Sequence, residues 1–175
     1  NNHPNGEYHH VMGPLTFSRD EINTDFETGW HLLSPPLAGN HNLVNMFDNP
    51  TYDCDPTGCS DIQSANFGTG FYVENNGSQL DFTFTGSVLS DKTLILQEGW
   101  NLIGNPLVNS VDINSVIITH NNYDYNWPDA AKYGIISPHP ISYDNENGGH
   151  IGASELAAAA GFWVHSFHND VEISF

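Results

Sequence analysis

Cationic side chains are nearly absent from this chain. Three Lys and Arg stand against 21 Asp and Glu, a formal net charge of -18 over 175 residues. So few cations cannot replace the counterions of a phosphate backbone, which excludes nucleic acid as a partner. Anionic membranes and strongly sulfated or uronic polymers are disfavoured for the same reason. No apolar run approaches the roughly 18 residues needed to span a bilayer as a helix, so membrane insertion is not expected. The sequence begins without Met or a signal peptide, as a mature or excised piece would.

Nucleophilic machinery is equally sparse. There is no Gly-x-Ser-x-Gly. The two cysteines, Cys54 and Cys59, sit in Asp53-Cys54-Asp55-Pro56-Thr57-Gly58-Cys59-Ser60-Asp61, where Pro and Gly allow a tight loop. A disulfide is the favoured reading and suits an exported protein. A zinc site is the alternative, but it needs further His or Cys ligands, and the ten histidines are scattered. Nothing singles out two carboxylates as a glycosidase pair. With only Arg19, Lys92 and Lys132 as cations, anionic transition states would find little support. The expectation is a protein that is not an enzyme.

What the chain does have is an internal repeat. Gly29-Trp30-His31-Leu32-Leu33-Ser34-Pro35-Pro36-Leu37 returns as Gly99-Trp100-Asn101-Leu102-Ile103-Gly104-Asn105-Pro106-Leu107. Gly70-Phe71-Tyr72-Val73 returns as Gly161-Phe162-Trp163-Val164, and Leu80-Asp81-Phe82-Thr83-Phe84 as Val171-Glu172-Ile173-Ser174-Phe175. The first pair is offset by about 70 residues and the others by about 91, so the second half carries about 21 extra residues within about 105–160. Such an insertion is expected to form a surface loop. The first Phe-Thr-Phe strand runs on past Phe84, whereas the second stops at Phe175, so the natural protein is expected to continue.

Short apolar runs separated by Gly, Pro and Asn clusters predict an all-β fold, an antiparallel β-sandwich or barrel built from two pseudo-symmetric halves with little helix. Residues 1–14 read as an N-terminal segment. Residues 15–175 read as a single β domain of two repeats, about 15–91 and 92–175. Strands are expected at Leu15–Ser18, Trp30–Leu33, Gly70–Glu74, Leu80–Thr85, Thr93–Leu96, Trp100–Gly104, Val116–Thr119, Gly134–Ile136, Phe162–His165 and Val171–Phe175. Hairpins are expected through Asn75-Asn76-Gly77-Ser78 and His168-Asn169-Asp170. A helical turn or two is expected at Asn40–Phe47, and a short turn at Ser154–Ala160.

The Gly-Trp-His-Leu-Leu-Ser-Pro-Pro, Gly-Phe-Tyr-Val, Phe-Thr-Phe-Thr-Gly, Gly-Trp-Asn-Leu-Ile-Gly-Asn-Pro and Gly-Phe-Trp-Val series resembles an all-β module of secreted and cell-surface proteins of Bacteroidetes. That module often precedes a type IX secretion sorting domain. The resemblance covers about residues 15–175. It implies a secreted accessory unit, beside adhesins, proteases or polysaccharide-degrading enzymes, rather than a catalytic one.

Three candidate sites follow from residue chemistry. The insertion holds Tyr123, Asp124, Tyr125, Asn126, Trp127 and Tyr133, with Tyr143 beyond. Rings that stack on the C–H face of a pyranose, beside Asp and Asn that bond hydroxyls, suit a glycan or another cell-surface ligand. Asp53, Asp55 and Asp61 around Gly58 suggest a calcium loop that lacks the final Glu of an EF-hand. Asp144-Asn145-Glu146-Asn147 is a second oxygen-rich candidate. Trp30 and Trp100, alike in both halves, read as paired core residues, with a ligand-binding role as the alternative. The leading function is a noncatalytic extracellular module that binds carbohydrate or attaches to a surface ligand. The alternative is a structural or adhesive subunit of a surface or filamentous assembly, with self-association.

Overall fold

The computed structural model describes residues 15–19, 29–76, 82–89, 92–144 and 147–175. The chain is all-β and antiparallel, with the helix α1 (Trp127–Lys132) as its one α-helix among the described residues. The sheets stack as layers without closing into a barrel, so the sandwich alternative holds.

The first half comprises β1 (Leu15–Arg19), β2 (Gly29–Leu33), β3 (Asn40–Asn42), β4 (Thr51–Asp55), β5 (Gly58–Ile62), β6 (Ser64–Asn66), β7 (Phe71–Asn75) and β8 (Phe82–Gly86). The second comprises β9 (Thr93–Leu96), β10 (Gly99–Gly104), β11 (Val111–Asp112), β12 (Ile117–His120), β13 (Tyr123–Asn126), β14 (Ile141–Asp144), β15 (Gly149–Gly152), β16 (Glu155–Leu156), β17 (Gly161–Ser166) and β18 (Val171–Ser174). The halves share one plan. The sheet β2-β7-β4-β5 matches β10-β17-β14-β15, the ribbon β3-β6 matches β11-β16, and the pair β1-β8 matches β9-β18.

Alternation along the strands builds each lobe's core. Leu33, Phe71 and Val73 turn one way and meet Phe82 and Phe84 from the opposite layer. In the second lobe Phe162 and Val164 meet Val171 and Ile173. This geometry corrects both expected hairpins. β7 pairs with β2 and β4, while β8 pairs with β1; β17 pairs with β10 and β14, while β18 pairs with β9 and β12. The strands on either side of each connection lie in opposite layers, because their apolar residues face each other across the core.

The insertion is also corrected. Equivalent rungs give offsets of 70 at His41 and Val111, 89 at Tyr52 and Ile141, and 91 at Cys59 and His150. About 19 extra residues therefore lie between β11 and β14, and two more in the β14–β15 turn. They form β12, β13 and α1. β12 docks on β18 and widens that sheet to β13-β12-β18-β9. Val116, Ile118, Trp127, Ala130 and Ile136 are fully buried in the core, so the segment is part of the fold and not a surface loop. Gly134–Ile136 is not a strand: Ile136 makes a single bridge to Ser166. The expected turn at Asn40–Phe47 shrinks to Leu43–Phe47, where Phe47 N donates to Leu43 O, because Asn40–Asn42 joins the ribbon as β3.

The lobes interlock by a pseudo-twofold relation. Ser34 N donates to Ala159 O and Gly104 N to Gly68 O, each at 2.9 Å. Gly68 and Ala159 both adopt positive φ, 71° and 55°. Ala159 contributes to the first lobe's core, and a Cβ on Gly68 would meet Leu94 of the second at 2.6 Å. Each lobe thus reaches into the other.

Candidate functional site

The β2-β7-β4-β5 and β10-β17-β14-β15 sheets each have a second face, and these faces meet between the lobes. The same alternation that sends His31 and Leu33 toward the lobe core sends Trp30 and Leu32 outward. Leu32, Cys54 and Tyr72 form the buried centre there, with Trp30, Tyr52, Leu102, Tyr143 and Trp163 packed around it.

A cleft of about 800 Å³ opens at this junction. Its walls are chiefly rings: Trp30, Tyr52 and Tyr72 from one lobe, Trp100 and Trp163 from the other, with the Cys54–Cys59 disulfide along one side. Trp30 lies edge-on to Tyr52 at 5.4 Å and to Tyr72 at 6.4 Å between ring centroids. Trp100 stands edge-on to Trp163 at 6.5 Å and to His165 at 5.1 Å, and is 43% exposed. Trp30, half-buried, packs on the inter-lobe core cluster and also walls the groove, so the core reading taken from repetition holds for it in part and is corrected for the exposed Trp100.

The floor is held by a cross-lobe hydrogen-bond chain. Trp163 Nε1 donates to the Tyr72 hydroxyl at 2.7 Å, and that hydroxyl shares a 2.9 Å bond with His150 Nε2. Burial pushes the Tyr72 phenol above its usual range, against the pull of the Trp163 N–H. A neutral phenol bonded on both sides fixes the ring's position.

The lobes differ most at one rung. Cys54 faces Cys59 across β4 and β5, and Tyr143 faces His150 on the equivalent rung of β14 and β15. A covalent pair in one lobe is matched by a ring pair, at 5.4 Å, in the other. The disulfide expected from the sequence is formed.

The sequence-predicted binding face does not assemble. Trp127 is fully buried, and its Nε1 donates to Ser137 O at 3.0 Å. Asn126 caps α1, its Oδ1 accepting from Asp129 N at 2.8 Å. Asp124 accepts from Thr119 Oγ1 at 2.7 Å. Tyr123 and Tyr133 are 68% and 64% exposed; Tyr133 packs on half-buried Tyr125 at 5.7 Å. Tyr143 alone of this set joins the aromatic junction, edge-on to Tyr72 at 6.1 Å. The anchor ring the reading needed, Trp127, was taken by the core.

The calcium set is separated by strand parity. Asp53 and Asp55 share one face of the β4–β5 hairpin, while Asp61, opposite Tyr52, takes the other. Asp55 Oδ1 instead accepts from Thr57 Oγ1, Thr57 N and Gly58 N, which lowers its carboxyl below the usual range, the Thr57 hydroxyl contributing most. Among the described residues no three His, Cys, Asp or Glu gather as a metal site. In the second oxygen-rich candidate, Asp144 accepts from Asn147 N and Nδ2 in a turn, and Asn145 and Glu146 lie outside the described residues.

No family model, curated protein or solved structure matches the chain. No described helix is long and apolar enough to cross a membrane.

Proposed function

We propose that this protein is a noncatalytic extracellular binding module and that its carbohydrate ligand seats in the inter-lobe aromatic cleft. The observation carrying this reading is the pairing of Trp30 and Trp100 as walls of an 800 Å³ cleft floored by Tyr72 and Trp163. Ring faces and edges offer flat apolar surface to the C–H faces of sugar rings, at little conformational cost. Polar groups sit at the margin, in Asp55 and His150, where hydroxyls of a bound chain would reach them.

The noncatalytic part rests on the cleft's chemistry. Glycoside cleavage by the usual route needs two carboxyl groups across the scissile bond, and among the described residues lining the cleft Asp55 is the one carboxylate, Glu74 and Asp61 standing on the same sheet face outside the lining. The extracellular part rests on the disulfide and on the motif resemblance to secreted Bacteroidetes modules.

A glycan array tests the reading. The parent protein binds one or more glycans, and Trp30→Ala with Trp100→Ala removes that binding while circular dichroism stays unchanged. Undiminished binding by the folded double variant would overturn the cleft as the seat.

A further inference from the structure

The floor of the cleft pairs its polar atoms with one another. Tyr72 and Trp163 hold the same place in the repeated Gly-Phe-x-Val motif, and they meet across the junction of the lobes. Trp163 Nε1 is committed to the Tyr72 hydroxyl at 2.7 Å, and that hydroxyl to His150 Nε2 at 2.9 Å. All three residues line the cleft. Leu32, Leu102 and Tyr143 pack in one cluster with Tyr72. A ligand hydroxyl turned toward this floor gives up water and meets donors and acceptors that are already bonded. Burying a hydroxyl without a partner opposes binding.

The walls impose the same condition. Trp30 lies edge-on to Tyr72, and Trp100 edge-on to Trp163. An indole has one polar group, its N–H, and over the rest of the ring a hydroxyl finds no conventional partner. Polar contacts are left to the margin, at Asp55 and the exposed His150.

A pyranose whose hydroxyls are all equatorial meets these terms. Both of its faces carry only axial C–H groups, and its hydroxyls project from the rim toward the margin and solvent. In a β-1,4 chain each unit is turned over relative to the last. An axial hydroxyl therefore alternates between the two faces of the chain, and consecutive units cannot both turn it away from the same surface.

We infer that the cleft selects β-1,4 chains of all-equatorial pyranoses, gluco- or xylo-configured, over chains with an axial hydroxyl, and that the bonded Trp163–Tyr72–His150 floor sets this preference. The inference rests on the cleft being the carbohydrate seat. Tyr72 and Trp163 determine specificity in it by withholding hydrogen-bond partners rather than by supplying them.

Calorimetric titration with cellotetraose, xylotetraose and mannotetraose, all β-1,4 linked, tests this. Cellotetraose and xylotetraose are expected to bind within several-fold of each other. Mannotetraose, whose C2 hydroxyl is axial, should bind roughly tenfold or more weakly. Tyr72→Phe returns the Trp163 N–H and His150 Nε2 to the floor as partners, so the gap should narrow several-fold. Trp163→Phe leaves an acceptor site open on the Tyr72 hydroxyl and should narrow the gap in the same direction, which keeps the test decisive if the first variant fails to fold. Mere loosening of the junction would lower all three affinities together and leave their ratios unchanged. Equal affinities of the parent protein for all three would overturn the selectivity and leave the cleft standing. A gap retained in the folded variants would overturn the role of the bonded floor. Absence of binding by all three would overturn the β-1,4 inference, while the array with the double Trp variant judges the cleft separately.

Discussion

Trp127 tests the reassignment of the insertion from binding loop to core. The indole is fully buried, packed among the second lobe's apolar residues, and its N–H meets Ser137 O. Trp127→Ala removes the packing and leaves a cavity, which for a buried Trp costs about 3–5 kcal/mol. It also leaves the Ser137 carbonyl without that donor, an added loss of about 1 kcal/mol or more. For a chain of this size each kcal/mol lowers the melting temperature by about 2–4 °C. Scanning calorimetry should therefore show a fall of roughly 8–24 °C. Trp127→Phe, which keeps most of the volume, should lose less than half of that. Tyr123→Ala, at an exposed ring, should stay within about 2 °C. A Trp127→Ala protein that melts within about 3 °C of the parent would refute the core assignment.

Three further outcomes follow from the same geometry. Replacing both cysteines with Ser opens a short loop, and chain entropy puts the loss near 2 kcal/mol, read by urea titration of the oxidised parent against the variant. Gly68→Ala places a methyl against Leu94 at a backbone φ of 71°, so it should destabilise by about 1–3 kcal/mol, whereas Ala159→Gly, at φ 55°, should change stability by less than 1 kcal/mol as strain relief offsets the lost methyl. The raised Tyr72 phenol contributes stability that is full below the ordinary tyrosine range and is lost as pH rises through its folded value. Alkaline unfolding should therefore begin at higher pH in Tyr72→Phe, and an unshifted curve would refute the buried neutral phenol.

Much of the fold was legible because repetition and alternation are properties of sequence. Strands β2, β9, β10, β17 and β18 lie where apolar alternation puts them, and the matched halves follow from the Gly-Trp and Gly-Phe motifs. The partners of those strands were less legible. A short polar connection such as Asn75-Asn76-Gly77-Ser78 serves a hairpin or an arch, and only the need of Phe71 and Phe82 to face across a core decides between them. The helix α1 had a readable start in Asn126, with Pro128 just inside, but its Tyr and Trp neighbours looked like a ligand surface.

The site was legible in composition and hidden in parity. Trp30 sits two residues from Leu32 and three from Leu33, so the face it shares depends on which leucine enters the lobe core. Equal residues at equal places in a repeat are compatible with a core or with the two walls of a cleft. The match between Cys54–Cys59 and Tyr143–His150 was concealed by the two extra residues in the second turn, which shift the alignment within the hairpin. The calcium reading failed on the same ground: one-dimensional spacing groups Asp53, Asp55 and Asp61, and strand parity parts them.

The cleft itself is tested most directly by tryptophan fluorescence of Trp100→Ala and of Tyr123→Ala/Tyr133→Ala during titration with a glycan found by the array. Trp100 and the two tyrosines are all exposed, so each variant should fold. The account predicts that Trp100→Ala weakens binding at least tenfold and that the double Tyr variant binds like the parent. Retained binding in Trp100→Ala, with loss in the Tyr variant, would return the site to the insertion and contradict the cleft.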